Sequence, residues 1–154
     1  MTKIYFLLHA AIARSTTAPF INARSFKDIN TSYNEGSACL SRDGKMLIFS
    51  RCNSPDSYGN CDLYSAQLKE VANNLVWTDI KNMGPNVNST GWDSQPSLSH
   101  SSDTLFFASD RLGGFGYSDI YFTIKDPKGN WGKAQNAGPI INTVCSRVKS
   151  VLSS

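Results

Sequence analysis

"EGSACLSRDGKMLIFSR", residues 35–51, is answered 58 residues later by "DSQPSLSHSSDTLFFAS", residues 93–109. At that offset Leu40 meets Leu98 and Phe49 meets Phe107. "CDLYSA" (61–66) then meets "SDIYFT" (118–123) at an offset of 57, and "WTDIKNMGPNVN" (77–88) meets "WGKAQNAGPIIN" (131–142) at 54. Asp62 thus aligns with Asp119, Tyr64 with Tyr121, Trp77 with Trp131 and Asn88 with Asn142. The offset changes only between these motifs, where loops absorb insertions. Several dissimilar motifs recurring in order make a tandem repeat.

Each unit reads as four short strands, at about 37–41, 46–51, 61–67 and 75–80, then at about 95–99, 104–109, 119–124 and 130–134. These segments are rich in β-branched and aromatic residues, and "RDG", "SPDSYGN" and "DPKGN" supply turns between them. No window sustains a 3.6-residue apolar period with caps, so the chain is expected to be all-β. Four strands per unit of 54 to 58 residues fit four-stranded antiparallel propeller blades, part of an incomplete or larger β-propeller. The blades fall at 30–87 and 88–141, with 1–29 as the tail of a preceding blade and 142–154 as the truncated start of another. A sandwich of two four-stranded sheets accounts for the same strand count.

The ends bear on that choice. Lys3 and "IYFLLHAAIA" have the charged start and apolar run of a short signal peptide. The same stretch begins with "KIYF" (3–6), which repeats "DIYF" (119–122), and Leu152-Ser153 fall where another Leu98-Ser99 would. Two blades cannot close a ring. Apolar residues near Leu40, Phe49, Leu98 and Phe107 are therefore expected to be partly uncovered, and the chain to self-associate or to need more blades.

Composition limits the function. The 154 residues suit one ordinary domain, 40% hydrophobic and 18% charged. A net charge of +3 with no long basic run argues against an electrostatic nucleic-acid binder. No apolar stretch reaches the roughly 18 to 20 residues that a transmembrane helix needs.

"ASDRLGGFGYSDIYF" (108–122) is the most enzyme-like stretch. A phosphate-cradling loop needs a helix after its glycines, and a strand follows here. A calcium loop needs more oxygen ligands than two carboxylates supply. A hairpin remains, with Gly113, Gly114 and Gly116 easing the reversal. In the first unit Cys52 stands for Asp110 and Cys61 for Ser118. Both lie at facing strand ends, where a disulfide is geometrically reasonable and would imply an oxidising compartment. The alternative is a pair of free thiols. Cys39 is expected to face the blade interior, and Cys145 has no assigned role.

The remaining chemistry is sparse. Ser99-His100 occupies a turn and is no nucleophile–base pair. "NST" (88–90) has the form of a glycosylation acceptor, but Asn88 is the repeated linker residue. Trp77 and Trp131 read as packing residues, and with Asp62, Asn88 and Asn142 they form the repeat's structural set. Asp62 and Asp119 are expected to accept from turn amides. Arg51, Asp110, Arg111 and Asp119, near the loop ends, are the candidate binding-loop residues, with the arginines either paired to carboxylates or solvated. No catalytic residue, metal ligand or cofactor is expected.

Taken together, "NEGSACLSRDGKMLIFSRC", "YGNCDLY", "GWDSQPSLS", "TLFFASDRLGGFGYSDIY" and "W…NAGPIINT" resemble the TolB-like, WD-type propeller repeat. The version most similar is that of Bacteroidetes envelope proteins which also carry an OmpA-like domain. The resemblance spans about 30–143. It implies a non-catalytic scaffold of the periplasm or outer membrane that recognises protein partners. The chain shows no OmpA-like domain, tetratricopeptide segment or lipobox cysteine, so peptidoglycan binding does not carry over. The alternative is an accessory propeller fragment of a prolyl-oligopeptidase-like hydrolase, whose G-x-S-x-G nucleophile elbow is missing here.

Overall fold

A computed structural model of the protein describes residues 9–12 and 21–144. Its strands are β1 (His9–Ile12), β2 (Ile21–Ser25), β3 (Asn34–Leu40), β4 (Met46–Cys52), β5 (Cys61–Val71), β6 (Asn74–Asn82), β7 (Asp93–Leu98), β8 (Thr104–Ser109), β9 (Asp119–Ile124) and β10 (Gln135–Asn136). β3 to β6 form one four-stranded antiparallel sheet and β7 to β10 a second, each in chain order, while β1 and β2 pair by themselves. No helix occurs among the described residues. The chain is all-β. Apart from His9–Ile12, the signal-like stretch with its "KIYF" lies outside the described residues, as do Cys145 and Leu152-Ser153.

The last strand of the second unit is displaced from the expected 130–134 to Gln135–Asn136, with only a single Lys125–Trp131 bridge before it. The connecting turns explain the difference. β5 and β6 join through Ala72 and Asn73, both at positive φ (49° and 62°), a tight reversal that keeps long strands in register. In the second unit Pro127 removes a ladder donor, and the Asp126 carboxylate instead takes the amides of Lys128 and Asn130. β3 and β7 share another irregularity. Each bulges in register, at Gly36/Ala38 and at Ser94/Ser97, with Ser37 and Gln95 at positive φ (41° and 56°).

The sheets pack face to face. Met46, Ile48 and Leu63 of the first meet Leu105, Phe107 and Tyr121 of the second, with Val87 of the linker between them. Alternation sends Leu47, Phe49, Tyr64, Ala66 and Trp77 to the other face of the first sheet. That face is also buried, under Phe26 and Ile29. Burying each large side chain contributes about 1.5–3 kcal/mol.

The uncovered surface is only partly where the sequence places it. Phe49 and Phe107 are 0% and 1% exposed and Leu98 is partly buried; of the four, only Leu40 is open, at 53%. The open apolar face is the far side of the second sheet, carrying Phe106, Ile120 and Ile124. Phe107 points toward the first sheet, and its neighbour Phe106 points away.

Candidate functional site

The 53–60 and 110–118 loops join the middle strands of their sheets, and the 83–92 linker leaves β6 at the same end of the molecule. Beneath the loops, a set of side chains recurs almost atom for atom. Asp62 Oδ2 and Oδ1 accept from the amides of Tyr58 and Gly59 (2.7 and 3.1 Å). Asp119 accepts likewise from Phe115 and Gly116 (2.6 and 3.1 Å). Asn82 donates to Asp62 and Asn136 to Asp119, at 2.7 and 2.9 Å. The same two asparagines accept from the Gly84 and Gly138 amides. Burial pushes the Asp119 carboxyl up, but its amide donors and Asn136 outweigh that and hold it below the ordinary carboxylate range.

Asn88 and Asn142 tie each following linker back to the sheet. Asn88 brackets the Leu63 peptide, accepting from N–H and donating to C=O at 2.8 and 3.0 Å. Asn142 does the same to Ile120 at 2.7 and 2.9 Å. With its amide so engaged and the residue buried, Asn88 of "NST" offers no glycosylation acceptor.

A third element was hidden in the sequence. Buried Glu35 accepts from Thr31 N–H and Oγ and from Arg51 Nε at 2.8 Å. Arg51 also donates to the Ile29 carbonyl, and its guanidinium lies over Phe49 and Tyr64. In the second sheet Asp93 accepts from Ser89 and from Arg111 Nη2 (2.7 Å), while Arg111 donates to the Val87 carbonyl and covers Phe107 and Tyr121. These are charge-assisted bonds reinforced by cation–π contact. Both arginines are therefore spent on internal clasps. Glu35 and Asp93 were missed, although they align at the offset of 58.

Cys52 and Cys61 form a disulfide across directly paired residues of β4 and β5. It abuts the end of the 83–92 linker, where Asn60 N–H donates to the Gly91 carbonyl at 2.8 Å and Cys61 bridges to Trp92. Gly59 has no room for a side chain, since a Cβ would strike the Gly91 oxygen. The Asp110 that replaces Cys52 instead accepts from Trp92 N–H at 2.6 Å.

Of the candidate binding-loop residues, then, Arg51 and Asp119 are buried, Arg111 is mostly covered and Asp110 is exposed. Beside exposed polar residues such as Asp56, Asn60 and Asp110, the loops present Tyr58, Leu112, Phe115 and Tyr117 to solvent. A shallow cleft there is lined by Asp110, Phe115, Gly116, Tyr117 and Val144. Trp77 packs edge-on against Phe26, and Trp131 lies beside the inter-sheet core under the Lys125 ammonium.

At the opposite end, the 41–45 and 99–103 turns enclose a wider, open cleft with Arg42, Lys45, His100 and Lys125 on its walls. Arg42 contacts His100, and Lys125 donates to the Ser102 carbonyl at 3.0 Å. Asp43 and Asp103 act on the Lys125 ammonium and offset part of the cleft's positive charge. No group of three or more His, Cys, Asp or Glu suited to a metal occurs among the described residues. No helix among them is long and apolar enough to cross a membrane. The chain matches no protein-family model and no curated protein sequence.

Proposed function

We propose that the two sheets are successive blades of a TolB-like, WD-type β-propeller, acting without catalysis as a protein-binding scaffold of the bacterial envelope. The observation that carries the binding role is the loop end. Tyr58, Leu112, Phe115 and Tyr117 are exposed on loops whose backbone is clamped from below by Asp62 and Asp119. Aromatic side chains on a preorganised base supply contact area at low entropic cost. The blade reading draws support from the first sheet, which is buried on both faces. A two-sheet sandwich buries only the inner face of each sheet. The Cys52–Cys61 disulfide favours an oxidising compartment such as the periplasm.

Site-specific photo-crosslinking in the bacterial envelope tests the reading. A photoreactive residue at Tyr117 is expected to capture a discrete protein, and one at Leu75, exposed at the opposite end, to capture none. Equal capture from both positions, or turnover of a peptide substrate by the purified chain, contradicts it.

A further inference from the structure

Resting on the protein-binding reading, we propose that the cleft lined by Asp110, Phe115, Tyr117 and Val144 is a site for an arginine side chain of the protein partner. The chain shows twice what such a site is made of. Glu35, Phe49 and Tyr64 hold Arg51, and Asp93, Phe107 and Tyr121 hold Arg111. In each, a carboxylate lies at 2.8 or 2.7 Å and two ring centroids lie between 4.5 and 5.4 Å from the guanidinium. Asp110, Phe115 and Tyr117 bring the same side-chain types to the loop end, and no cation is among the residues lining their cleft. A guanidinium stacks on an aromatic ring while donating to a carboxylate, and its methylene stem suits an apolar wall such as Val144.

Asp110 is built into its position. Its N–H donates to the Trp92 carbonyl and its Oδ1 accepts from Trp92 N–H, at 3.1 and 2.6 Å. Gly91 leaves room for that carboxylate, since a Cβ there would strike Oδ1. Among the described residues no cation forms an ion pair with it. The backbone beside it is fixed as well, because Asp119 clamps the Phe115 and Gly116 amides. Charge selects the occupant. The 53–60, 83–92 and 110–118 connections carry only Asp56, Asp110 and Arg111 as charged residues, and Arg111 is spent on Asp93. Arg42, Lys45, Lys125 and Lys128 all lie toward the opposite end. A negative, aromatic end steers a cationic segment onto the loops.

Amide NMR of the full chain tests the site, with acetyl-glycyl-arginyl-glycine amide as the probe. Saturable shifts are expected at Trp92, Phe115 and Gly116. The glutamine counterpart of the tripeptide is expected to produce none, and the lysine counterpart to bind more weakly. Asp110→Asn retains an acceptor for Trp92 N–H and is expected to weaken arginine binding at least about tenfold. Phe115→Leu removes a ring without touching the amide clamp and is expected to weaken it at least about threefold. Asp56→Asn, at the same end but outside the cleft, is expected to change it less than about twofold. No saturable shift, binding of the glutamine or lysine tripeptide equal to that of arginine, or equal weakening by Asp56→Asn and Asp110→Asn overturns the proposal. Should arginine fail to bind while a photoreactive residue at Tyr117 still captures a discrete protein, the arginine site falls and the protein-binding reading stands. Saturable, Asp110-dependent binding with no protein captured upholds the site and contradicts that reading.

Discussion

Arg111 holds the Asp93 carboxylate at 2.7 Å although it lies two positions beyond Ser109, the residue that aligns with Arg51. It reaches back over Ser109, whose Oγ accepts from Arg111 N–H and Nε at 3.2 and 2.8 Å. Its guanidinium thereby covers Phe107 and Tyr121 as Arg51 covers Phe49 and Tyr64. The geometry of the clasp is kept while the chain position of its cation is not.

Removing the acid of this clasp leaves a largely covered guanidinium unpaired. Asp93→Ala is expected to cost about 3–5 kcal/mol, as breaking buried ion pairs does. Asp79→Asn keeps a residue suited to the left-handed backbone there (φ 51°), removes the charge of the exposed Lys69–Asp79 pair and is expected to stay within about 1 kcal/mol. Urea unfolding of both variants makes the comparison. Equal losses contradict the clasp's structural role.

Much of this was legible in the sequence because repeats restate their own constraints. The aligned pairs Asp62/Asp119 and Asn88/Asn142 do corresponding jobs in the structure. Two things were obscured. The shift from Arg51 to Arg111 broke the alignment that joins each arginine to Glu35 or Asp93. Secondly, β8 is apolar on both sides, so its period-2 pattern does not say whether Phe106 or Phe107 faces the neighbouring sheet. Fold and packing decide that, and local sequence does not.

Asp110 and Ser118 occupy the places of Cys52 and Cys61, flanking the directly paired Ser109 and Asp119. The double variant Asp110→Cys, Ser118→Cys is expected to form a second disulfide, detected as one linked peptide under non-reducing conditions. Conversely, Cys52→Ser is expected to lower stability by about 2–3 kcal/mol through loss of the closed loop. Two free thiols in the double variant count against equivalence of the hairpins.

Asp119 binds a proton less readily in the folded chain than in the unfolded one. Its contribution is therefore complete above the unfolded value of about 3.9 and is lost as pH falls through the lower folded value. The stability gap between the natural chain and Asp119→Asn is expected to be constant from about pH 8 to 5 and to narrow below about pH 4. Urea unfolding across that range measures it. A gap that widens in acid contradicts the amide clasp.

Burial raises the Cys39 thiol to about 11, against a weaker opposing hydrogen bond from the Leu98 backbone. At pH 8 it is expected to react with iodoacetamide far more slowly in the folded chain than in urea, because the thiolate is the nucleophile. Mapping the Cys39 peptide by mass spectrometry follows the rate. Labelling equally fast in both states places Cys39 outside the sheet packing.

Four glutamate substitutions at adjacent positions test the stacked-sheet account most directly. Ile48 and Phe49 lie on opposite faces of the first sheet, both fully buried, whereas Phe107 is buried and Phe106 open on the second. Ile48→Glu, Phe49→Glu and Phe107→Glu are each expected to cost more than about 3 kcal/mol, since each buries an unpaired carboxylate. Phe106→Glu is expected to cost within about 1 kcal/mol. Stability near that of the natural chain for either Ile48→Glu or Phe49→Glu would mean that one face of the first sheet meets water, contradicting successive blades and favouring a closed sandwich.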